Sequence, residues 1–215
     1  MPGPVAKAPW ALARSAQAAV AAAAVTDVWR AVTLRAHRLH PQDTPLGMSG
    51  RASEVYVDVA TVAIVLFLVW FSRCRRNARL LSPTPLAGSA AWAVLAWLIP
   101  VVHLWAPRGL VLDVHRASGP GAAEGRDRVL VNVWWAAWVG HALALTAGAL
   151  AGLETSLPYL FVTEFLELAA GALAIAVIQR VTARQSAALD ATRPLPGVAE
   201  PPRPEADVSY GPGDQ

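Results

Sequence analysis

Three stretches of the chain, residues 55–71, 129–152 and 157–178, are almost continuously apolar over the length of a membrane-crossing helix. A hydrocarbon core of about 30 Å is spanned by roughly 20 apolar helical residues, so runs of this kind leave little choice of fold. Composition agrees: 55% of the 215 residues are hydrophobic and 15% are charged, where a soluble domain carries roughly 25% charged residues. Too few polar side chains remain to cover a water-soluble globule, which argues against an ordinary soluble enzyme. Nine Trp against three Tyr and four Phe point to the boundary between lipid and water, where indoles concentrate. The formal charge of +3 is too weak an excess to suggest nucleic acid as a partner. One cysteine, Cys74, excludes an intramolecular disulfide and a thiolate-based zinc cluster, so packing must hold the fold.

A fourth run qualifies, the weakest of the four, and a fifth is doubtful. Residues 10–36 form an Ala-rich candidate span with Asp27 and Arg30 in its second half. Residues 89–106 nearly reach spanning length, but Pro100 interrupts them and Pro107 follows. Proline removes a backbone donor and clashes with the preceding turn, so a break is predicted near Pro100. Arginine placement decides the topology. If all five segments cross with the N-terminus inside, six Lys or Arg residues fall inside and eleven outside, against the positive-inside tendency. If segment 89–106 dips in and returns, the count becomes fourteen inside and three outside. The sequence therefore predicts an all-α, polytopic helical membrane protein with four transmembrane helices plus one Pro-broken re-entrant or interfacial segment. Five spans are the alternative. In the favoured topology the protein is multi-pass in the cell membrane, with both termini cytoplasmic.

Three regions follow: an N-terminal tail over residues 1–9, a helical membrane domain over 10–190, and a disordered tail over 191–215 with six prolines and few large apolar residues. An N-terminal signal peptide is the rival reading of the first run, but Arg14 and Gln17 interrupt its apolar region.

A string of residues in the centre has a recognisable spacing. Phe67, Trp70, Arg73 and Asn77 close the second run, followed by Trp92, Trp97, Ile99, Pro100, Pro107, Asp113, Arg116, Ala117 and Ser118, then the pair Trp134 and Trp135. Over residues 59–148 the chain resembles small integral membrane proteins, mostly actinobacterial, grouped as domain of unknown function 4328. The resemblance implies a membrane location and no established activity. Three positions depart from the expected pattern: His103 stands in place of Asn, Arg108 in place of Tyr and His115 in place of Trp.

The same residues have a physical reading. After Pro107, Leu110, Val111, Val114 and Ala117 recur at helical spacing while Arg108, Asp113, Arg116 and Ser118 face elsewhere, which predicts an amphipathic helix on the membrane surface. Trp97 and its neighbours can anchor the broken segment at headgroup depth, and Arg73 and Arg76 can pair with Asp113 or with lipid phosphate. Arg73, Arg76, Asn77, Trp97, Pro100, Asp113 and Arg116 are thus candidates for binding anionic lipid or a partner. As plain topology signals and packing anchors they would need no ligand.

Only residues 153–156 separate the last two runs, so these should form a tight antiparallel hairpin. Gly140, Ala144, Gly148 and Gly152 repeat every four residues on one face, the kind of ridge that lets membrane helices approach closely. In such a hairpin His141 lies opposite Glu167, with Glu164 one turn further out. Asp27 and Arg30 approach from the same half. Ionisable groups at this depth cost several kcal/mol unless paired or neutralised, so His141, Glu164 and Glu167 form a candidate proton relay. Structural pairing of the helices is the plainer role for them.

No nucleophile and base pair, phosphate-binding loop or metal-binding motif is visible, and no cofactor or metal is expected. Cys74, between Arg73 and Arg75 at the membrane edge, is open to palmitoylation if exposed. The residues favour a nonenzymatic scaffold or accessory protein whose basic cytoplasmic face engages anionic lipid or a membrane protein partner, including a second copy of itself. The alternative is a small proton-linked permease or transporter.

Overall fold

The computed structural model describes residues 7–40, 42–43, 46–82, 86, 88–99, 101–119, 124–153 and 155–192. Pro100 and the Pro-rich tail from residue 193 onward lie outside the described residues. Six α-helices follow one another: α1 (Trp10–Leu39), α2 (Leu46–Leu81), α3 (Ala90–Leu98), α4 (Ala106–Ala117), α5 (Glu124–Ala151) and α6 (Leu157–Ala191), with one 3₁₀ turn at Val102–Leu104.

Three of these helices, α2, α5 and α6, are long and apolar enough to cross a membrane. Their outward residues suit such surroundings. Phe161 and Phe165 of α6 are 67% and 71% exposed, and Leu150 of α5 is 86% exposed, a surface that water would penalise and lipid would not. α1 has 30 residues but is not among the three. Its polarity is inverted: Gln17, Asp27 and Thr33 are buried while Val25, Trp29 and Val32 are exposed.

The break in segment 89–106 is local in origin. Ser89 caps α3 by accepting a hydrogen bond from the Trp92 amide at 3.0 Å. Ile99, which precedes a proline, is already extended at φ −85°, ψ 115°, because the proline ring disfavours helical conformation in the residue before it. At nine residues α3 is about 14 Å long, under half a bilayer core. The chain then packs α4 back against α3. A fifth crossing has no helix of the required length here.

α4 corrects one expectation. Leu110, Val111 and Val114 do share a face, but that face is buried in the protein together with Leu112 and His115, against α2, α3, α5 and α6. The helix is a wedge in the bundle instead of a float on the membrane surface.

The last two helices form a hairpin. Gly152, at φ 64°, ends α5 with the Leu153 amide returning to the Gly148 carbonyl at 3.0 Å, a left-handed stop that glycine tolerates without cost. Pro158 opens the first turn of α6. Close approach is needed at Gly148, where an added Cβ would fall 2.1 Å from the Tyr159 ring. α1 packs on both α2 and α6, tied by Gln17 Nε2 donating to the Ile175 carbonyl at 2.9 Å.

Candidate functional site

Residues 7–9, just ahead of α1, run beside the end of α2. Asn77 holds them there, its side-chain amide donating to the Lys7 carbonyl at 3.2 Å. Between them lies an open groove of ≈ 770 Å³. Lys7, Arg73 and Arg76 make its basic end, and Trp10, Leu12, Leu68, Val69 and Val94 make its apolar wall. From Leu68 to Arg76 the wall follows α2 for about 12 Å. Among the described residues no carboxylate pairs with any of the three cations. An anion with a hydrocarbon chain fits this arrangement: the cations take the anion, and the wall takes the chain.

The other proposed members of this site are dispersed. Asp113 does not meet Arg73 or Arg76; it accepts from Arg116 of its own helix at 2.9 Å. Arg75 is the α2 arginine within electrostatic reach of Asp113. It is buried and donates to the Gly88 carbonyl at 3.3 Å. Helical geometry explains the split, since Arg73 and Arg76 share a face that Arg75 cannot share. Cys74 is fully buried, and its carbonyl accepts from Gln185 at 2.7 Å, so its thiol is not presented to a membrane-edge acyl donor.

Trp97 belongs to an aromatic cluster. Its ring centroid lies 4.8 Å from Phe67, 5.7 Å from Phe71 and 6.2 Å from Trp134, separations at which edge and tilted pairs attract. His103 sits at the margin. It accepts from Trp138 Nε1 at 2.7 Å through Nε2, and its Nδ1 faces the Trp97 carbonyl at 3.0 Å. A carbonyl only accepts, so Nδ1 carries the proton and the ring is the neutral Nδ1–H tautomer.

The two other positions that depart from the family pattern also have partners. Arg108 donates to Asn132 at 2.9 Å. His115 is buried beside Asp127, at 3.2 Å. Asp127 in turn meets Arg184 at 2.7 Å and Arg180 at 3.6 Å, which links α4, α5 and α6. Reading the sequence missed Asp127. Its one visible signal was the four-residue spacing of Arg180 and Arg184, which puts both cations on one face.

Deeper in the bundle His141 Nε2 lies 3.6 Å from Glu167 Oε2, and His141 Nδ1 is 3.0 Å from the Thr163 carbonyl. Glu164 is within electrostatic reach of Asp27, Arg30 and Glu167. Arg30 is paired with Asp27 on α1 and covers the Tyr56 ring at 4.6 Å. Four long helices therefore bring polar groups to one place. Among the described residues no set of three His, Cys, Asp or Glu converges as metal ligands.

A family model described as a domain of unknown function (DUF4328) matches residues 47–183, from the start of α2 well into α6. No curated protein and no solved structure gives a significant match.

Proposed function

The chain belongs to the DUF4328 family, and from that premise we propose that it is a nonenzymatic membrane scaffold or accessory protein that seats an anionic lipid on its cytoplasmic face. The groove of Lys7, Arg73 and Arg76 is the observation that carries this reading. Three cations without carboxylate partners open directly onto an apolar wall, and each is worth about 1 kcal/mol toward an anionic headgroup near the surface. In the topology proposed with it, α1 crosses in addition to α2, α5 and α6, and segment 89–106 returns to the side it came from. The inverted polarity of α1 supports that, because buried Asp27 and exposed Val25 suit a helix with lipid outside it. Both termini are then cytoplasmic in the cell membrane, as the fourteen to three distribution of Lys and Arg favours.

Purified protein exchanged into nanodiscs of mixed phosphatidylglycerol and phosphatidylcholine should retain phosphatidylglycerol preferentially when the lipids left bound are weighed by native mass spectrometry. Equal retention of the two would refute the reading. A second reading, a small proton-linked permease, is favoured by one observation, the contact of His141 with Glu167. Flux driven by a pH gradient across liposomes is its test.

A further inference from the structure

We propose that His141 and Glu167, with Asp27, Arg30, Tyr56 and Glu164 around them, form a proton-binding site inside the membrane-spanning part of the bundle. The proposal depends neither on the lipid groove nor on any flux.

Its centre is the histidine. Nδ1 faces the Thr163 carbonyl at 3.0 Å, and since a carbonyl cannot donate, Nδ1 holds a proton in every state of the ring. Nε2 is left as the nitrogen that gains or loses one, and it faces Glu167 Oε2 at 3.6 Å. That is longer than a hydrogen bond but within reach of an ion pair. One mobile proton is enough to join the pair, carried by either the ring or the carboxyl.

The surroundings supply a second argument. Three carboxylates, Asp27, Glu164 and Glu167, share one permanent cation, Arg30. Three negative charges against one positive leave two unbalanced. Phe161, Val162, Phe165 and Leu168 are exposed on the same stretch of α6, so this charge sits at the depth of the lipid-facing band, where unbalanced charge is costly. Two bound protons bring the site to neutrality. Atoms are ready to use them: Asp27 is 1% exposed, and among the described residues neither Asp27 Oδ2 nor Glu164 Oε2 has a hydrogen-bond partner. Arg30 is turned to the other carboxylate oxygen of Asp27. Tyr56 contributes a phenol within electrostatic reach of all three acids. Among the described residues no three of the acids and His141 converge as metal ligands, so the proposal is for a proton.

Infrared difference spectra of the full chain in lipid bilayers, between alkaline and acidic buffer, test the proposal. Acidification should bring up the carbonyl stretch of protonated carboxyl groups, shifted in heavy water. Glu167→Gln should lose one component of that band and alter the pH dependence of the remainder, and Glu164→Gln should lose another. A parent protein without such a band would overturn the proposal, as would a band that neither inserted, folded variant diminishes. Should Glu167→Gln fail to insert, ¹⁵N shifts of the His141 ring in the parent decide: Nε2 should titrate while Nδ1 stays protonated, and a ring that never titrates overturns the site. The titration should be the same in sodium and choline buffers, and a dependence on sodium would mean that a metal cation occupies the place of the proton.

Discussion

Replacing the groove cations one at a time separates a built lipid site from diffuse surface charge. Lys7, Arg73 and Arg76 line the groove, whereas Arg79, one turn further along α2, is exposed and does not. Each cation close to an anionic headgroup contributes about 1 kcal/mol, which is about fivefold in affinity. Arg73→Gln and Arg76→Gln should therefore each weaken phosphatidylglycerol binding about fivefold, and the pair about 30-fold if the terms add. The triple variant with Lys7→Gln should lose about 150-fold on the same basis. Arg79→Gln should change affinity less than either Arg73→Gln or Arg76→Gln, because its charge lies outside the groove and acts only through water. Leu68→Asp and Val94→Asp should weaken binding without removing any cation, since the wall would no longer accept a chain. Competition between a fluorescent phosphatidylglycerol and unlabelled lipid, in detergent at two salt concentrations, measures all of these. An Arg79→Gln loss equal to that of Arg73→Gln would refute the groove and leave only a nonspecific basic face.

Other perturbations probe the fold around the site. With Cys74 replaced by Ser, single cysteines at Arg79 and Arg126 should both be shielded from an impermeant thiol reagent in right-side-out cells; labelling of one alone would establish a full crossing between them. Gly148→Ala would put a methyl 2.1 Å from the Tyr159 ring and should cost about 1–3 kcal/mol by overpacking. Adding Tyr159→Ala should recover part of that loss, and an unchanged melting temperature in Gly148→Ala alone would mean that α5 and α6 do not approach as described. Asp127→Ala removes the carboxylate beside His115 and Arg184, whose side chains are 5% and 16% exposed, and should cost about 3–5 kcal/mol. Asp113→Ala breaks a pair whose Arg116 is 63% exposed and should cost about 0–1 kcal/mol; equal losses for the two would contradict the burial of the Asp127 network.

Local rules made much of this chain legible before its structure. Apolar run length marks α2, α5 and α6, because a helix of fixed rise must match the thickness of the bilayer core. The stop at Ile99 follows from the proline after it, a steric effect within two residues. The pairing of His141 with Glu167 follows from counting back along two helices joined by a short turn, for which a rise of about 1.5 Å per residue suffices. Tertiary packing decided what each face would meet. Periodicity correctly grouped Leu110, Val111 and Val114, yet it could not say whether they face lipid or protein, since both are apolar. It could not show that Arg75 turns inward while Arg73 and Arg76 turn to the groove, nor that Asp113 pairs within its own helix. Asp127 was missed for the same reason: its partners come from α4 and α6, and only the folded bundle brings an acid at residue 127 to a histidine at 115 and arginines at 180 and 184. Helix length and breaks are properties of neighbouring residues along the chain, whereas charge pairing across a bundle depends on the rotation of each helix about its axis, which is set by all of its neighbours together.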